Sequence, residues 1–430
     1  MASVLSPTPG VNSERVGLGE WRPRWQATVL PTAQTAIQLM VMLLGVMSYL
    51  FGTSHNQADR YHARKMLIVD LDGGEVGKAV TQAAINLGSS KFRSIEIGQE
   101  AQFDSPAEVK EAVCHADYWA AVTVPANSSA SLARALQESS NSSPIYYTYN
   151  QARYPTIADS VLVNSIRQIH EASRDTIQNT LLINNTFENA PQPLQATFLH
   201  PLALLPDLIL PTAQPSRVFY NTVNVVRPTL VQFFLCLGMN VSGQMSGFFR
   251  EVKVRDVYLF RFTVGELYCA FLSIIVTGYI WAFRSDWTVD SAVYGKSFGI
   301  YLLYLDVQWQ LLESSTGTFV PMMYMPYFLV TWIIMNVSSS VYPFEVMAGF
   351  YRIGWAMPSR HLNSLLIYAW SGCANPLKEA LPVLFAWWLV LHGTAALSVK
   401  KRCCDARGPV AMIEADREVN TSSPSSEKED

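Results

Sequence analysis

The sequence predicts an α-helical integral membrane protein of about six transmembrane helices. An α/β extracytoplasmic domain is inserted between helices 1 and 2, and a re-entrant helix pair precedes the last helix. Three observations lead there. Uncharged apolar runs at Val29 to Phe51, Pro228 to Phe249, Leu267 to Phe283, Val320 to Val337 and Leu381 to Val399 each approach the roughly 20 residues a helix needs to cross a hydrocarbon core of about 30 Å. Between the first and second runs lies a long polar stretch, Gly52 to Arg227, with none. Charged residues make up 15% of the chain and aromatic residues 12%, against about 25% charged in a soluble domain. The implied division is a cytoplasmic tail over 1–28, a first span over 29–51, the extracytoplasmic domain over 52–227, a bundle over 228–399 and a disordered cytoplasmic tail over 400–430. The net charge of −3 leaves no basic footprint, which excludes nucleic acid as a partner.

The first run begins late, exceeds the usual h-region of about 7–15 residues and has no small-x-small site before Gly52 to Asn56, so it reads as an uncleaved signal anchor. Arg15, Arg22 and Arg24 precede it, which keeps the N-terminus in the cytoplasm and sends Gly52 onward across. Three sequons, at Asn127, Asn141 and Asn184, fall in that stretch and are the glycosylation candidates.

Within the domain, Lys65 to Asp72 is a short apolar strand ended by a turn, and Gly77 to Leu87 has helical spacing. Ser105-Pro106-Ala107-Glu108 is a capping box with proline at the first helical position, opening a helix to about Ala116. Tyr118 to Val124 and Ile145 to Tyr149 are β-rich runs on either side of a helical Ala130 to Gln137. Such alternation predicts an α/β unit with parallel strands. Val161, Ile166, Ile169, Ile177 and Leu181 then recur at helical spacing, predicting one long amphipathic helix over 157–182. The proline-rich Pro191 to Pro215 leads back to the membrane.

Arg250, Lys253, Arg255 and Arg261 follow the second span, and Lys400, Lys401 and Arg402 follow the last. Both groups belong to cytoplasmic loops. That parity demands a further span at Val293 to Leu312, despite Lys296 and Asp306. Asp306 must then face the bundle interior or water, as an interhelical hydrogen bond or as part of a substrate path whose donors are Gln232, Asn240 and Gln244. His392 in the last span is a proton relay or a helix-to-helix hydrogen bond. Ser338 to Ala380 mixes aromatics, prolines, glycines and single charges, as short half-helices packed against protein would.

Cysteine spacing supports no metal site, and no cofactor is expected. Cys114 and Cys373 both fall outside the membrane, where they either pair or stay free. Cys403 and Cys404, beside a basic membrane exit, are palmitoylation candidates. Asp70-Leu71-Asp72-Gly73 looks like the opening of a haloacid-dehalogenase-type loop, in which Mg²⁺ bridges a nucleophilic and an acid/base aspartate. Gly74 and Glu75 follow where that family has other residues, so a strand-ending turn is the simpler account. No Gly-Lys-Ser/Thr phosphate loop occurs, so ATP is not bound in that manner.

Pro343-Phe344-Glu345, Gly349-Phe350-Tyr351-Arg352, Ala356-Met357-Pro358 and Leu381 to Trp388 resemble the fungal membrane proteins named for nitrosoguanidine resistance. So do Val69-Asp70-Leu71-Asp72 with Gly77, and Tyr118-Trp119-Ala120-Ala121 with Val124-Pro125. That family is distantly similar to phage-infection-protein membrane proteins and to ABC type-two transporter membrane domains. The resemblance implies a multi-pass protein implicated in export of, or resistance to, toxic small molecules, with no catalytic residues to carry over. Expected partners are membrane lipid, an amphipathic small molecule, and a separate ATPase subunit or a second copy of the chain. The plasma membrane is expected ahead of the endoplasmic reticulum, with both termini cytoplasmic. The competing readings are a non-transporting membrane organiser or lipid-distribution regulator whose exported domain binds a partner, and a membrane-tethered hydrolase using Asp70 and Asp72.

Overall fold

The computed structural model describes residues 25–422, save positions 56, 58–59, 61–62, 91–94, 99–102, 139–142, 184–196, 213, 286, 288 and 317. Two compact units divide at Tyr49 and Leu50. The first holds most of helix α1 (Trp25–Thr53), whose leucines, methionines and valines between Leu30 and Leu44 are largely exposed. Exposed apolar side chains along a helix are what a lipid-facing anchor presents.

The second unit begins with an α/β domain. Its strands are β1 (Met66–Asp70), β2 (Ile95–Gly98), β3 (Ala120–Val124), β4 (Ser143–Tyr149) and β5 (Leu202–Pro206), in the order β2-β1-β3-β4-β5. Helices α2 (Glu75–Ser90), α3 (Pro106–Cys114), α4 (Ser128–Glu138) and α5 (Val163–Ile183) connect and flank them. The run Met66-Leu67-Ile68-Val69 is apolar throughout because β1 is central and covered on both faces. Ile68 packs with Val76 and Val80 of α2 and with Ile166 and Ile169 of α5. Leu67 and Val69 pack on the other side with Val109 and Val113 of α3. The capping box forms: Ser105 accepts from the Glu108 N–H, and Glu108 reaches back to Asp104 N at 2.8 Å.

Two expectations need correction. Parallel pairing holds for β2, β1 and β3, but β4 runs antiparallel to β3 and parallel to β5. The proline-rich return segment also supplies a strand, β5, whose Leu202-Ala203-Leu204-Leu205 is too short a run to stand out among its prolines. The long amphipathic helix is present as α5, entered through a helical turn at Pro155–Ile157 and a π-type turn at Ala158–Leu162.

The rest is a helical bundle: α6 (Val223–Met245), α7 (Val254–Ala282), α8 (Ser291–Ser315), α9 (Met325–Val341), α10 (Pro358–Ser371) and α11 (Leu377–Ser422). Among the described residues four helices are long and apolar enough to cross a membrane: α1, α6, α7 and the first part of α11. The remaining two expected spans exist as helices but fall short, α8 because it is charged and α9 because it has 17 residues. α8 is buried almost without interruption from Tyr304 to Thr316. A helix buried all round sees protein and not lipid, so it tolerates polar residues that a lipid-facing helix would exclude. α11 continues to Ser422, so residues 400–422, expected as a disordered tail, are helical.

Residues 338–380 form two 3₁₀ segments, Phe344–Val346 and Gly349–Ala356, and helix α10. With 14 residues, α10 spans only about 21 Å at about 1.5 Å per residue. The α/β domain is fastened to this segment. Cys114 and Cys373 form a disulfide, and Ala374 N donates to Cys114 O at 2.8 Å. Asn150 Nδ2 donates to Ser371 Oγ at 3.1 Å and Arg360 to the Tyr154 hydroxyl at 2.9 Å. The Arg153 guanidinium lies 3.7 Å over the Trp119 ring and 3.9 Å from Glu345.

Candidate functional site

Asp306, Gln310 and Glu313 stand at i, i+4 and i+7 of α8, which puts them on one face of a buried helix. Around Asp306 that face meets Glu266 of α7 and Trp388 and His392 of α11. Asp306 Oδ1 accepts from Gln310 Nε2 at 3.0 Å, and Oδ2 from the Trp388 indole at 2.6 Å. Gln310 Nε2 also lies 3.4 Å from Glu266 Oε1. His392 Nδ1 is 2.8 Å from the Trp388 carbonyl oxygen. A carbonyl only accepts, so Nδ1 carries a proton, and in the neutral ring Nε2 is a lone pair.

That lone pair points at Asp306 Oδ2, 3.6 Å away, and at Glu266 Oε1, 4.0 Å away. Ligand atoms of Glu266, Asp306 and His392 all lie within 4.8 Å of one another. Gln310 donates to both carboxylates and the Trp388 indole to Asp306, but His392 Nε2 faces them without a proton of its own, so these three acceptor atoms repel unless a proton or a cation joins them. The group opens onto a cleft of about 300 Å³, walled also by Phe262, Gly299, Leu302 and Leu303. The arrangement has the donor set to take up a proton or a small cation.

None of the three donors expected for Asp306 reaches it. Gln232 donates to the Leu305 carbonyl at 2.7 Å, Asn240 accepts from Arg402 at 2.5 Å, and Gln244 is exposed. They sit on α6, and α7 and α11 occupy the Asp306 side of α8. Sequence reasoning missed Glu266 because it borders the third apolar run, whereas α7 begins at Val254 and carries it well inside. The signal was the polar stripe on α8, which needs a polar partner on each neighbouring helix.

One turn further along that stripe, Glu313 is gripped by two arginines. Arg261 Nε and Nη2 bind its two oxygens at 2.7 Å each, and Arg402 Nη2 binds Oε1 and the Glu313 carbonyl. Side-chain exposure is 2% for Arg261, 4% for Glu313 and 8% for Arg402. Both arginines, assigned from sequence to loop charges, are bundle residues. Phe249 lies 5.6 Å from one guanidinium and 5.9 Å from the other, an arrangement that disperses part of the uncompensated positive charge.

The Asp70–Asp72 turn is bound to its own backbone. Asp70 Oδ1 accepts from Asp72 N and Gly73 N, and Asp72 accepts from Gly74 N and from both the N–H and hydroxyl of Ser129. Gly77 lets α2 pass over the Asp70 carboxylate, which a Cβ there would overlap. This ties the end of β1 to the start of α4. Asn127 is exposed at the head of α4, whereas Asn141 and Asn184 lie outside the described residues. Cys403 is buried against Phe249 and Val257, and Cys404 is exposed.

The model of a family described as a protein of unknown function (DUF3533) matches residues 35–393. No curated protein and no solved structure matches the chain.

Proposed function

The chain belongs to the DUF3533 family of proteins of unknown function, and from that premise we propose that it is a multi-pass membrane protein of transporter-like architecture. In this reading it moves a toxic amphipathic small molecule or a lipid out of the bilayer, and protonation or cation capture at Glu266, Asp306 and His392 drives the movement. The observation that carries the reading is the trio of converging acceptors beside a cleft within the bundle. Ionisable groups at that depth are costly and mark ion or substrate pathways. The resemblance to nitrosoguanidine-resistance proteins supplies the cargo class. An ion-driven cycle removes the need for an ATPase partner, though not for a second copy of the chain.

The proposed topology has six spans, with α8 and α9 crossing inside the bundle, and both termini in the cytoplasm. A Cys114–Cys373 bond fits an oxidising compartment for the α/β domain and for the loop after α10. The exposed Asn127 sequon fits the same side. Expressed in a eukaryotic host, the protein is expected to gain mobility on gels after endoglycosidase treatment, and Asn127→Gln to remove part of that shift. An unshifted protein whose α/β domain resists external protease would reverse the orientation.

For the mechanism, Asp306→Asn removes the charge and keeps an oxygen for only one of Gln310 and Trp388, turning an NH2 toward the other. It is expected to cut resistance or transport by roughly tenfold or more, within the 5–150-fold that coupling energies of about 1–3 kcal/mol produce. Asp306→Leu should abolish it. Abundance in the membrane and transport are measured together, and a fully active Asp306→Leu protein sinks the proposal.

A further inference from the structure

Where the α/β domain meets the bundle, a cavity of about 20 Å³ lies beside Arg217, Trp287, Asn363 and Trp370. Three of these residues present buried N–H groups that have no hydrogen-bond partner: Arg217 Nη1, Trp287 Nε1 and Asn363 Nδ2. Trp287 is 3% exposed and Asn363 5%. Each orphaned donor costs about 1–3 kcal/mol unless something accepts from it, and all three border one small void.

Two acceptors on the wall are already engaged. The Gln151 carboxamide oxygen is taken by Thr212 N at 2.6 Å, and that of Gln214 by the Tyr220 hydroxyl at 2.7 Å. Burial pushes Tyr220 up to about 12, so its hydroxyl stays protonated and supplies no negative charge. The Asp159 carboxylate binds the other guanidinium nitrogen, Nη2, of Arg217 and is absent from the cavity wall.

Counting lone pairs narrows the occupant. A water needs about 10–15 Å³, so the void has room for one small particle or at most two. One water accepts two hydrogen bonds at most, so it leaves one of the three donors unmet. A monatomic anion accepts from every direction and donates nothing, and an arginine among its donors adds charge assistance.

We propose that this cavity is a binding site for a halide-sized anion, held by Arg217, Trp287 and Asn363, that pins the α/β domain to the bundle. Arg217 and Trp287 precede α6 and α8, Asn363 lies on α10, and Gln151 and Thr212 come from the domain, so occupancy joins segments far apart in sequence.

The test uses purified full-length protein in detergent, melted in sodium chloride, bromide, gluconate or formate at equal ionic strength. Chloride and bromide are expected to raise the melting temperature saturably, by roughly 2–4 °C over gluconate. Trp287→Phe keeps the ring and loses the donor, and Asn363→Asp turns a carboxylate toward the site. Both should flatten the halide response. Equal melting in all four salts overturns the proposal. So does an undiminished response in both variants, or a response to formate without one to halide. Should either variant fail to accumulate, the wild-type contrast between halide and gluconate decides alone.

Discussion

Glu313→Gln is expected to strip most of the folded protein from the membrane fraction. The carboxylate is the only negative charge among the described partners of two arginines that are themselves more than nine-tenths buried. Neutralising it leaves two guanidinium groups side by side with water excluded. Removing one partner of a buried ion pair costs about 3–5 kcal/mol, and here one substitution unpairs both cations. Abundance and detergent melting temperature are the readouts. The triple variant Arg261→Met, Glu313→Met, Arg402→Met serves as the control, because apolar replacement of a whole buried ionic set is often neutral. It should recover abundance that Glu313→Gln has lost. Wild-type abundance and melting in Glu313→Gln would show that the network carries no stability.

Cys373→Ser is expected to lower stability by roughly 5–6 kcal/mol, the chain-entropy value for so long a closed loop. The bond joins positions 259 apart in sequence. The loss should appear as a large drop in melting temperature and as faster proteolysis of the α/β domain. Cutting the wild-type chain between the two cysteines should leave fragments that migrate together until a reductant is added. Separation without reductant would mean that the cysteines are free.

The apolar helices were legible in the sequence because lipid and protein both select apolar faces, so Val223–Met245 and the start of α11 stand out from their composition. α8 was legible only through charge parity. Asp306, Gln308, Gln310 and Glu313 lower its hydropathy, and nothing local says that other helices will surround it. The same gap hid the candidate site. Asp306 could be named as an acid in a span, but its partners Glu266 and His392 lie 40 and 86 positions away (306 − 266 and 392 − 306), and only the packing of α7 and α11 selects them over Gln232 and Asn240. Arg261 and Arg402 misled for a related reason. A basic residue near a span end reads as a topology signal, and burial against Glu313 is invisible until the bundle is assembled. In the domain, β1 and β3 were legible as apolar runs, while β2 and β5 were too short and too interrupted to register.

The disulfide also bears on the order of events during biosynthesis. In the proposed topology Cys114 enters the oxidising compartment early, and its partner emerges only after the ribosome has added the next 259 residues. At about 5–20 residues per second that is a delay on the order of tens of seconds. Throughout it the first thiol is open to wrong partners, and four helices must be inserted before the right one arrives. The finished bond therefore records that every helix from α6 to α10 has been made, and a chain stalled anywhere before Cys373 keeps a reactive thiol by which quality control can retain it.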